Sequence, residues 1–205
     1  RFISALGKHD IPGLRWLLDG FNYYDIQRVK EVGPDRVAAE WIVRCGGAVK
    51  TFPSFLCIHT FFRFWFDKID DMFTDYDALI KRTAELDPRV PEDDVKLTHI
   101  HAIDASVTGY GCRHFEGLTG IKEVRFRFCD NLHDYGLEYM GKAVGPYLDT
   151  LEIDGCRRIT EFGLAHLGLC SGLKLLSLRN LKSVYRPEKV LQKLRVALPK
   201  TEIQY

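Results

Sequence analysis

The chain has 205 residues, a formal net charge of +1, 46% hydrophobic residues and 28% charged residues. This balance is typical of a globular protein with a sizeable core, and the net charge does not imply a strongly charged partner such as nucleic acid. None of the six cysteines forms a CxxC pair, which argues against a disulfide framework or a zinc site, and no apolar run reaches the ~18 residues that a bilayer span requires.

The first fifty residues predict three helices. Apolar residues at helical spacing indicate a helix over residues 14–21 and a second one over 25–31. Pro34 and Asp35 then form a helix start, because proline suits the first turn and the helix dipole favours an acidic residue there. This third helix is expected to end at Gly46 and Gly47, where a left-handed cap is available.

Residues 51–96 are rich in large aromatic side chains. The set comprises Phe52, Phe55, Phe61, Phe62, Phe64, Trp65, Phe66 and Phe73. They are interpreted either as core that joins the helical segment to the rest of the chain or as an exposed patch that docks on a partner or membrane surface. We favour core, and retain Phe62, Trp65 and Phe66 as candidates for partner binding. A helix is expected over residues 76–86.

From residue 97 onward, a short apolar phrase returns at intervals of roughly two dozen residues. The phrases span residues 102–106, 124–129, 151–156, 176–181 and, truncated, 201–205. This period is typical of leucine-rich repeats with cysteine at the turn after the strand. The predicted fold is α/β, with a helical N-terminal cap over 1–96 and a solenoid of about four and a half repeats over 97–205, its parallel strands on the concave face.

Alignment of the phrases predicts which residues face inward. A buried column is expected to contain Ile103, Phe126, Ile153, Leu178 and Ile203, and a turn column three residues later contains Ser106, Cys129, Cys156 and Leu181. Two outward rows are expected: Asp104, Arg127, Asp154, Arg179 and Gln204, and Ala102, Arg125, Glu152, Ser177 and Glu202. Charges of both signs alternate there, so the face largely neutralises itself and disfavours nucleic acid. Arg125 and Arg127 are candidates for partner binding.

The chain lacks the sequence motifs of common enzymes. We find no Walker loop, no GxSxG elbow, no HExxH pair and no dinucleotide glycine fingerprint. His99 and His101 lie two apart on a predicted strand, but no third metal ligand accompanies them. The prediction is therefore a protein without catalytic residues.

Several blocks resemble one known family. Val32-Gly33-Pro34-Asp35-Arg36, the following Ala38-Ala39-Glu40-Trp41, and Arg44-Cys45-Gly46 are similar to the mitochondrial coupling factor B family. Later blocks, 102–105 and 115–118, extend the resemblance over most of residues 15–205. The family includes an assembly component of the distal membrane arm of respiratory complex I. In this chain, residues 51–96 are longer and more aromatic than in factor B.

The resemblance implies two further sites. The family has a functional Cys-x-Cys dithiol at the turn of the second repeat; here Cys129 matches the second cysteine and Arg127 replaces the first, which leaves Cys129 as the redox candidate. The family also resembles a weak cation binder through backbone carbonyls, and the matching positions are Gly46 and Ser106. Oxygen ligands of this kind suit Mg²⁺, while the simpler expectation is that the chain has no cofactor.

The resemblance implies a non-enzymatic mitochondrial protein on the matrix side of the inner membrane. It would bind a membrane-embedded respiratory complex without spanning the membrane. The first hypothesis is a coupling or regulatory subunit of ATP synthase. The second is an accessory or assembly component of complex I, favoured by the enlarged aromatic segment and the lost dithiol. A third, from the repeat type alone, is a substrate adaptor of a ubiquitin ligase.

Overall fold

The computed structural model describes residues 15–53 and 95–205. Within these ranges the helices are α1 (Arg15–Phe21), α2 (Ile26–Val32), α3 (Pro34–Arg44), α4 (Asp134–Val144), α5 (Glu161–His166) and α6 (Pro187–Ala197), with 3₁₀ helices at Gly111–Phe115 and Leu167–Leu169. The strands are β1 (Ala48–Pro53), β2 (Val95–Ile103), β3 (Glu123–Arg127), β4 (Thr150–Asp154), β5 (Leu175–Arg179) and β6 (Glu202–Gln204).

The three N-terminal helices begin and end where the sequence predicts. The carboxylate of Asp25 caps α2 by accepting hydrogen bonds from the backbone N–H groups of Gln27 and Arg28 at 2.9 and 3.1 Å. Helix α3 starts at Pro34, and Gly46 follows it with φ +87°, the left-handed conformation that glycine adopts without strain. Local capping chemistry therefore defines this part of the chain.

The fold is α/β. The described strands form one open, mostly parallel sheet of six strands in the order β1-β2-β3-β4-β5-β6. Strands β2 to β6 are parallel neighbours, and a 3₁₀ or α-helical segment lies between each pair along the chain. Each strand is thus followed in sequence by its spatial neighbour, as short parallel crossovers require.

Strand β1 has no counterpart in the sequence prediction. It pairs antiparallel with β2, from Ala48 opposite His101 to Pro53 opposite Val95. Pro53 stands at the end of this edge strand, where its missing N–H removes no ladder bond from a central position. The sheet consequently begins with an antiparallel edge.

One continuous hydrophobic core joins the helices to the inner face of the sheet. Its largest fully buried side chains include Trp41, Phe115, Phe126, Ile100 and Met140. Burial of side chains of this size stabilises the fold by about 1.5–3 kcal/mol each. In α6, Val190, Leu191 and Leu194 are buried, and so is Leu198 directly after the helix.

A left-handed residue ends four successive strands in the same register. Asp104, Phe128, Gly155 and Asn180 have φ values of +53°, +54°, +64° and +53°. The backbone N–H groups of the first three donate to the backbone carbonyls of Arg127, Asp154 and Arg179 in the next strand, at 2.8, 2.8 and 3.0 Å. The left-handed turn therefore adds one more rung to each ladder before the chain leaves the sheet.

The structure corrects the predicted buried column at its two ends. Ala102, not Ile103, lies opposite Phe126 and is fully buried, whereas Ile103 pairs with Arg127 and is 46% exposed. Ile203 lies beside Leu176 rather than Leu178. The prediction aligned the most apolar residue of each phrase, but backbone register decides which face a residue occupies.

The same shifts alter the outward rows. Ile103 replaces Asp104 beside Arg127, Asp154 and Arg179, and His101 replaces Ala102 beside Arg125 and Glu152. At the other edge, Gln204 lies beside Ser177, and Glu202 lies beside Leu175. In the turn column, Ala105 occupies the place that was predicted for Ser106, three residues after the corrected Ala102. The central strands β3 to β5 agree with the prediction.

Across residues 15–53 and 95–205, the helices are too short and too polar to cross a bilayer.

Candidate partner-binding face

The face of the sheet opposite the core carries a chain of ion pairs across β2, β3 and β4. His101 Nε2 lies 2.6 Å from Glu123 Oε1, which also contacts Arg125 Nε at 2.6 Å. Arg127 Nε donates to Glu152 Oε1 at 2.7 Å. Arg125 Nε is also 3.7 Å from Glu152 Oε2 and connects the two pairs. We call these five residues the open-face network.

The network lowers the pKa of its central acid. Burial of Glu123 opposes ionisation, but the hydrogen bond with His101 and the positive charge of Arg125 outweigh it, so the pKa of Glu123 lies below its ordinary value. Burial also lowers the pKa of His99, a residue of β2 that is not part of the network. The open-face network is thus a set of charges that the fold holds in fixed positions.

Arg125 and Arg127, the two predicted partner contacts, both lie in this network. Their side chains are 37% and 35% exposed, so each guanidinium retains a surface for a partner while one edge is paired. Beside Glu152, Ser177 is 7% exposed, and its hydroxyl has no hydrogen-bond partner among the described residues. A buried hydroxyl without a partner costs stability, so a neighbouring group that completed its hydrogen bond would be stabilising.

The two predicted cation-binding residues lie on either side of one carbonyl. Ser106 donates to the Cys45 carbonyl through both its N–H, at 2.9 Å, and its hydroxyl, at 3.2 Å, and Gly46 is the next residue along. The Ser106 carbonyl accepts the Asn22 side-chain amide at 2.9 Å. A cation there competes with that donor, and the described residues hold no cluster of three or more His, Cys, Asp or Glu side chains suited to a metal. Mg²⁺ binding at Gly46 and Ser106 stays a prediction.

Asn22 is the structural centre of this junction, and sequence reasoning gave it no role. Its side-chain oxygen accepts from Trp41 Nε1 at 3.1 Å and from Thr108 N at 2.9 Å, while its amide donates to the carbonyls of Leu18 and Ser106, both at 2.9 Å. It is 1% exposed. One asparagine thus joins α1, α3 and the segment after β2.

His114 is a second buried polar residue that the sequence did not single out. Its ring stacks on Trp41 at 4.8 Å and 8°, and Nδ1 lies 2.8 Å from the Gly111 carbonyl, which fixes the proton on that nitrogen. Burial lowers the pKa of His114 to about 4. The imidazole is therefore neutral at physiological pH.

The redox candidate, Cys129, is fully buried. Its Sγ lies 3.2 Å from the carbonyl of Ala102, and Cys156 Sγ lies 3.6 Å from the carbonyl of Phe126. The two thiols also interact, and this interaction together with burial raises the pKa of Cys129. Both thiols donate to backbone carbonyls near the ends of adjacent strands, β2 and β3, and a redox function for Cys129 stays a prediction.

The remaining partner-binding candidates, Phe62, Trp65 and Phe66, lie outside the described residues, as does the helix expected over 76–86.

Comparison with known proteins identifies relatives over nearly the whole chain. ATP synthase subunit s, mitochondrial, from Bos taurus is 30% identical over 191 residues, which cover 92% of this chain and 84% of the relative. The proteins of the same name from Homo sapiens and Mus musculus are 29% and 30% identical with the same coverage. No protein-family model matches the chain. An identity of this size over most of both chains exceeds what a shared fold alone produces, and the chain therefore belongs to the family of mitochondrial ATP synthase subunit s, also called coupling factor B.

Proposed function

We propose that the protein is a non-catalytic mitochondrial subunit that associates with ATP synthase from the matrix side of the inner membrane. The observation that carries this proposal is the similarity to relatives named ATP synthase subunit s over 92% of the chain. The proposed role is coupling or regulation through binding to the complex, in line with the naming of these relatives as a subunit of it.

The binding unit in this proposal is a leucine-rich-repeat solenoid over residues 97–205, with residues 1–96 as its cap. The recurrence of the left-handed residue and of a buried Ala, Cys or Leu after four successive strands supports it. Stacked repeats form a rigid surface, and rigid surfaces bind with little loss of conformational entropy.

The partner contact in this proposal is the open face, centred on Arg125 and Arg127. The arginines are paired with Glu123 and Glu152, so their positions are set before a partner arrives. A partner carboxylate would share Arg125 or Arg127, whose side chains are partly exposed.

The test is affinity purification of the tagged protein from detergent-solubilised mitochondria, followed by quantitative mass spectrometry. Enrichment of ATP synthase subunits is expected. The double variant Arg125→Gln and Arg127→Gln should reduce that enrichment by about fivefold or more. Arg179→Gln is the matched control, because Arg179 lies in the same row as Arg127 and is exposed. Full enrichment with the double variant would place the contact elsewhere.

A second candidate is an accessory or assembly role in respiratory complex I. Two features of the chain favour it, namely the long aromatic segment 51–96 and Arg127 in place of the first cysteine of the family dithiol. The same purification separates the candidates, since recovery of complex I subunits in place of ATP synthase subunits would support this second role. Recovery of cullin-type partners would support the substrate-adaptor hypothesis.

A further inference from the structure

The charge of the chain is concentrated at its C-terminal end. Residues 174–205 contain eight lysines and arginines against two acidic residues, although the whole chain has a net charge of only +1. The preceding part of the chain is therefore acidic overall. This asymmetry gives the molecule one strongly basic end.

The basic side chains of this end lie next to exposed apolar ones along the seam of α5 and α6. Arg186, Lys189 and Lys193 line a shallow groove of about 300 Å³ together with Phe162 and Ala165. Lys189, Lys193 and Val196 follow each other at positions i, i+4 and i+7 of α6, so they share one face of the helix. Val196 is 79% exposed.

Two aromatic rings project from the end of this seam. Phe162 is 78% exposed and Tyr185 is 83% exposed. Glu161, which precedes Phe162, connects the two segments, because its Oε1 accepts hydrogen bonds from the backbone N–H groups of Tyr185 and Arg186 at 2.6 and 2.8 Å. We call Phe162, Tyr185, Val196, Arg186, Lys189 and Lys193 the C-terminal basic patch.

The cations of the C-terminal basic patch outnumber the acids beside them. The nearby acid, Glu161, accepts hydrogen bonds from backbone N–H groups, and these together with the positive charge of Arg186 lower its pKa. None of Arg186, Lys189 and Lys193 forms a salt bridge with a described residue, whereas Arg125 and Arg127 of the open-face network are both paired. The patch therefore presents an excess of positive charge.

The shape of the patch selects between two kinds of anionic partner. A partner helix needs a recessed apolar groove that accepts several turns, and a groove of about 300 Å³ is at the small end even for a small-molecule site. Aromatic rings that project from a surface, flanked by lysine and arginine, instead match the interface of a bilayer, where rings enter the headgroup level and cations contact phosphates. The geometry favours a membrane.

We propose that the C-terminal basic patch docks the protein on an anionic phospholipid membrane surface. Phe162 and Tyr185 enter the headgroup region, and Arg186, Lys189 and Lys193 bind lipid phosphates. The patch lies on the helical side of the sheet, so docking leaves the open face accessible. This inference deepens the proposed function, on which it rests for the presence of a membrane, and it adds a lipid contact to the protein contact.

Vesicle co-sedimentation with the purified full chain tests the proposal. Vesicles of phosphatidylcholine with phosphatidylserine should bind the protein at least about tenfold more tightly than phosphatidylcholine alone, and added salt should weaken that binding. Lys189→Gln and Lys193→Gln should each weaken binding roughly fivefold. Phe162→Ser should also weaken it, with unfolding by urea unchanged because the ring is 78% exposed.

The matched control is the single variant Lys30→Gln or Lys122→Gln, each of which removes one positive charge, as each patch variant does, from an exposed position outside the patch. Equal weakening by the control would mean that net charge alone drives binding, and it would overturn the proposal. Wild-type vesicle binding by the Lys189 and Lys193 variants would overturn it as well. Loss of ATP synthase recovery in detergent with vesicle binding intact would instead identify the patch as a protein contact.

The two proposals fail separately. Vesicle binding through the patch without recovery of ATP synthase subunits would refute the proposed function and leave the membrane contact standing. Recovery of those subunits together with no preference for anionic vesicles would do the reverse.

Discussion

His114 should make the stability of the protein depend on pH between about 6.5 and about 4. The imidazole stacks on Trp41 and binds the Gly111 carbonyl, and burial lowers its pKa from 6.5 to about 4. The unfolded chain therefore takes up the proton first as the pH falls. Stability is complete above pH 6.5, decreases as the pH falls from 6.5 to about 4, and levels off below that.

The size of the effect follows from the two pKa values of His114. Their difference corresponds to about 3 kcal/mol of unfolding free energy at about 1.4 kcal/mol per pKa unit, of which about 2 kcal/mol should be lost by pH 5. Glu123, whose pKa is below its ordinary value, contributes stability that is lost only as the pH falls further, through the carboxylate range. The window above pH 5 is therefore dominated by buried histidine.

Urea unfolding at a series of pH values between 7.5 and 5 measures this loss. His114→Asn is the informative variant, since its side-chain amide can still donate to Gly111 but does not titrate. The variant should be less stable at pH 7.5, because the stacking on Trp41 is lost, yet its stability should change about 2 kcal/mol less between pH 7.5 and 5. His99→Gln is a control for the other histidine with a lowered pKa. The same pH dependence in wild type and His114→Asn would refute the reasoning, as would an NMR titration of His114 near pH 6.5.

Three further outcomes are expected. Gly155→Ala should lower the unfolding free energy measured in urea by about 1–2 kcal/mol or more, because the residue has φ +64° and the added Cβ would lie 2.5 Å from the Phe128 ring. The control Gly20→Ala in α1, where the added Cβ meets open space, should be neutral or stabilising. Asn22→Ala should lower the unfolding free energy by at least about 3 kcal/mol, since several buried groups lose their partner, and an unchanged melting temperature would contradict its central role. Cys129 should resist thiol reagents at pH 7 in the folded protein and react in urea, because its thiol is buried and its pKa is raised. Peptide mass spectrometry measures the labelling, and rapid labelling of the native protein would support a redox function.

The sequence predicts the parts of this fold that depend on local patterns. Pro34 and Gly46 mark helix boundaries through capping chemistry, and the structure places the boundaries of α3 there. The central strands also follow, since Phe126 and Ile153 stand in equivalent positions of similar phrases. Both kinds of signal lie within a few residues of the feature that they predict.

The sequence predictions fail where contacts between residues distant in the chain determine the structure. Ile103 is the more apolar residue of its phrase, yet the pairing of β2 with β3 buries Ala102 instead. Asn22 has no local pattern, because its partners Trp41 and Thr108 lie 19 and 86 residues away. The two arginines of the candidate face and the pairing of opposite charges there were predictable, but the part of His101 was not, since it entered the network through the corrected register.

The pairing of β1 with β2 explains how the chain accommodates the long connection formed by residues 54–94. Pro53 and Val95 face each other across the ladder, so the chain leaves the sheet and re-enters it at neighbouring points, whatever lies between. For such a hairpin, closing a connection of about forty residues rather than about four costs only about 2 kcal/mol of additional loop entropy. The length and composition of residues 54–94 can therefore diverge among relatives while the strands that flank them, and the stack built on those strands, keep their registration.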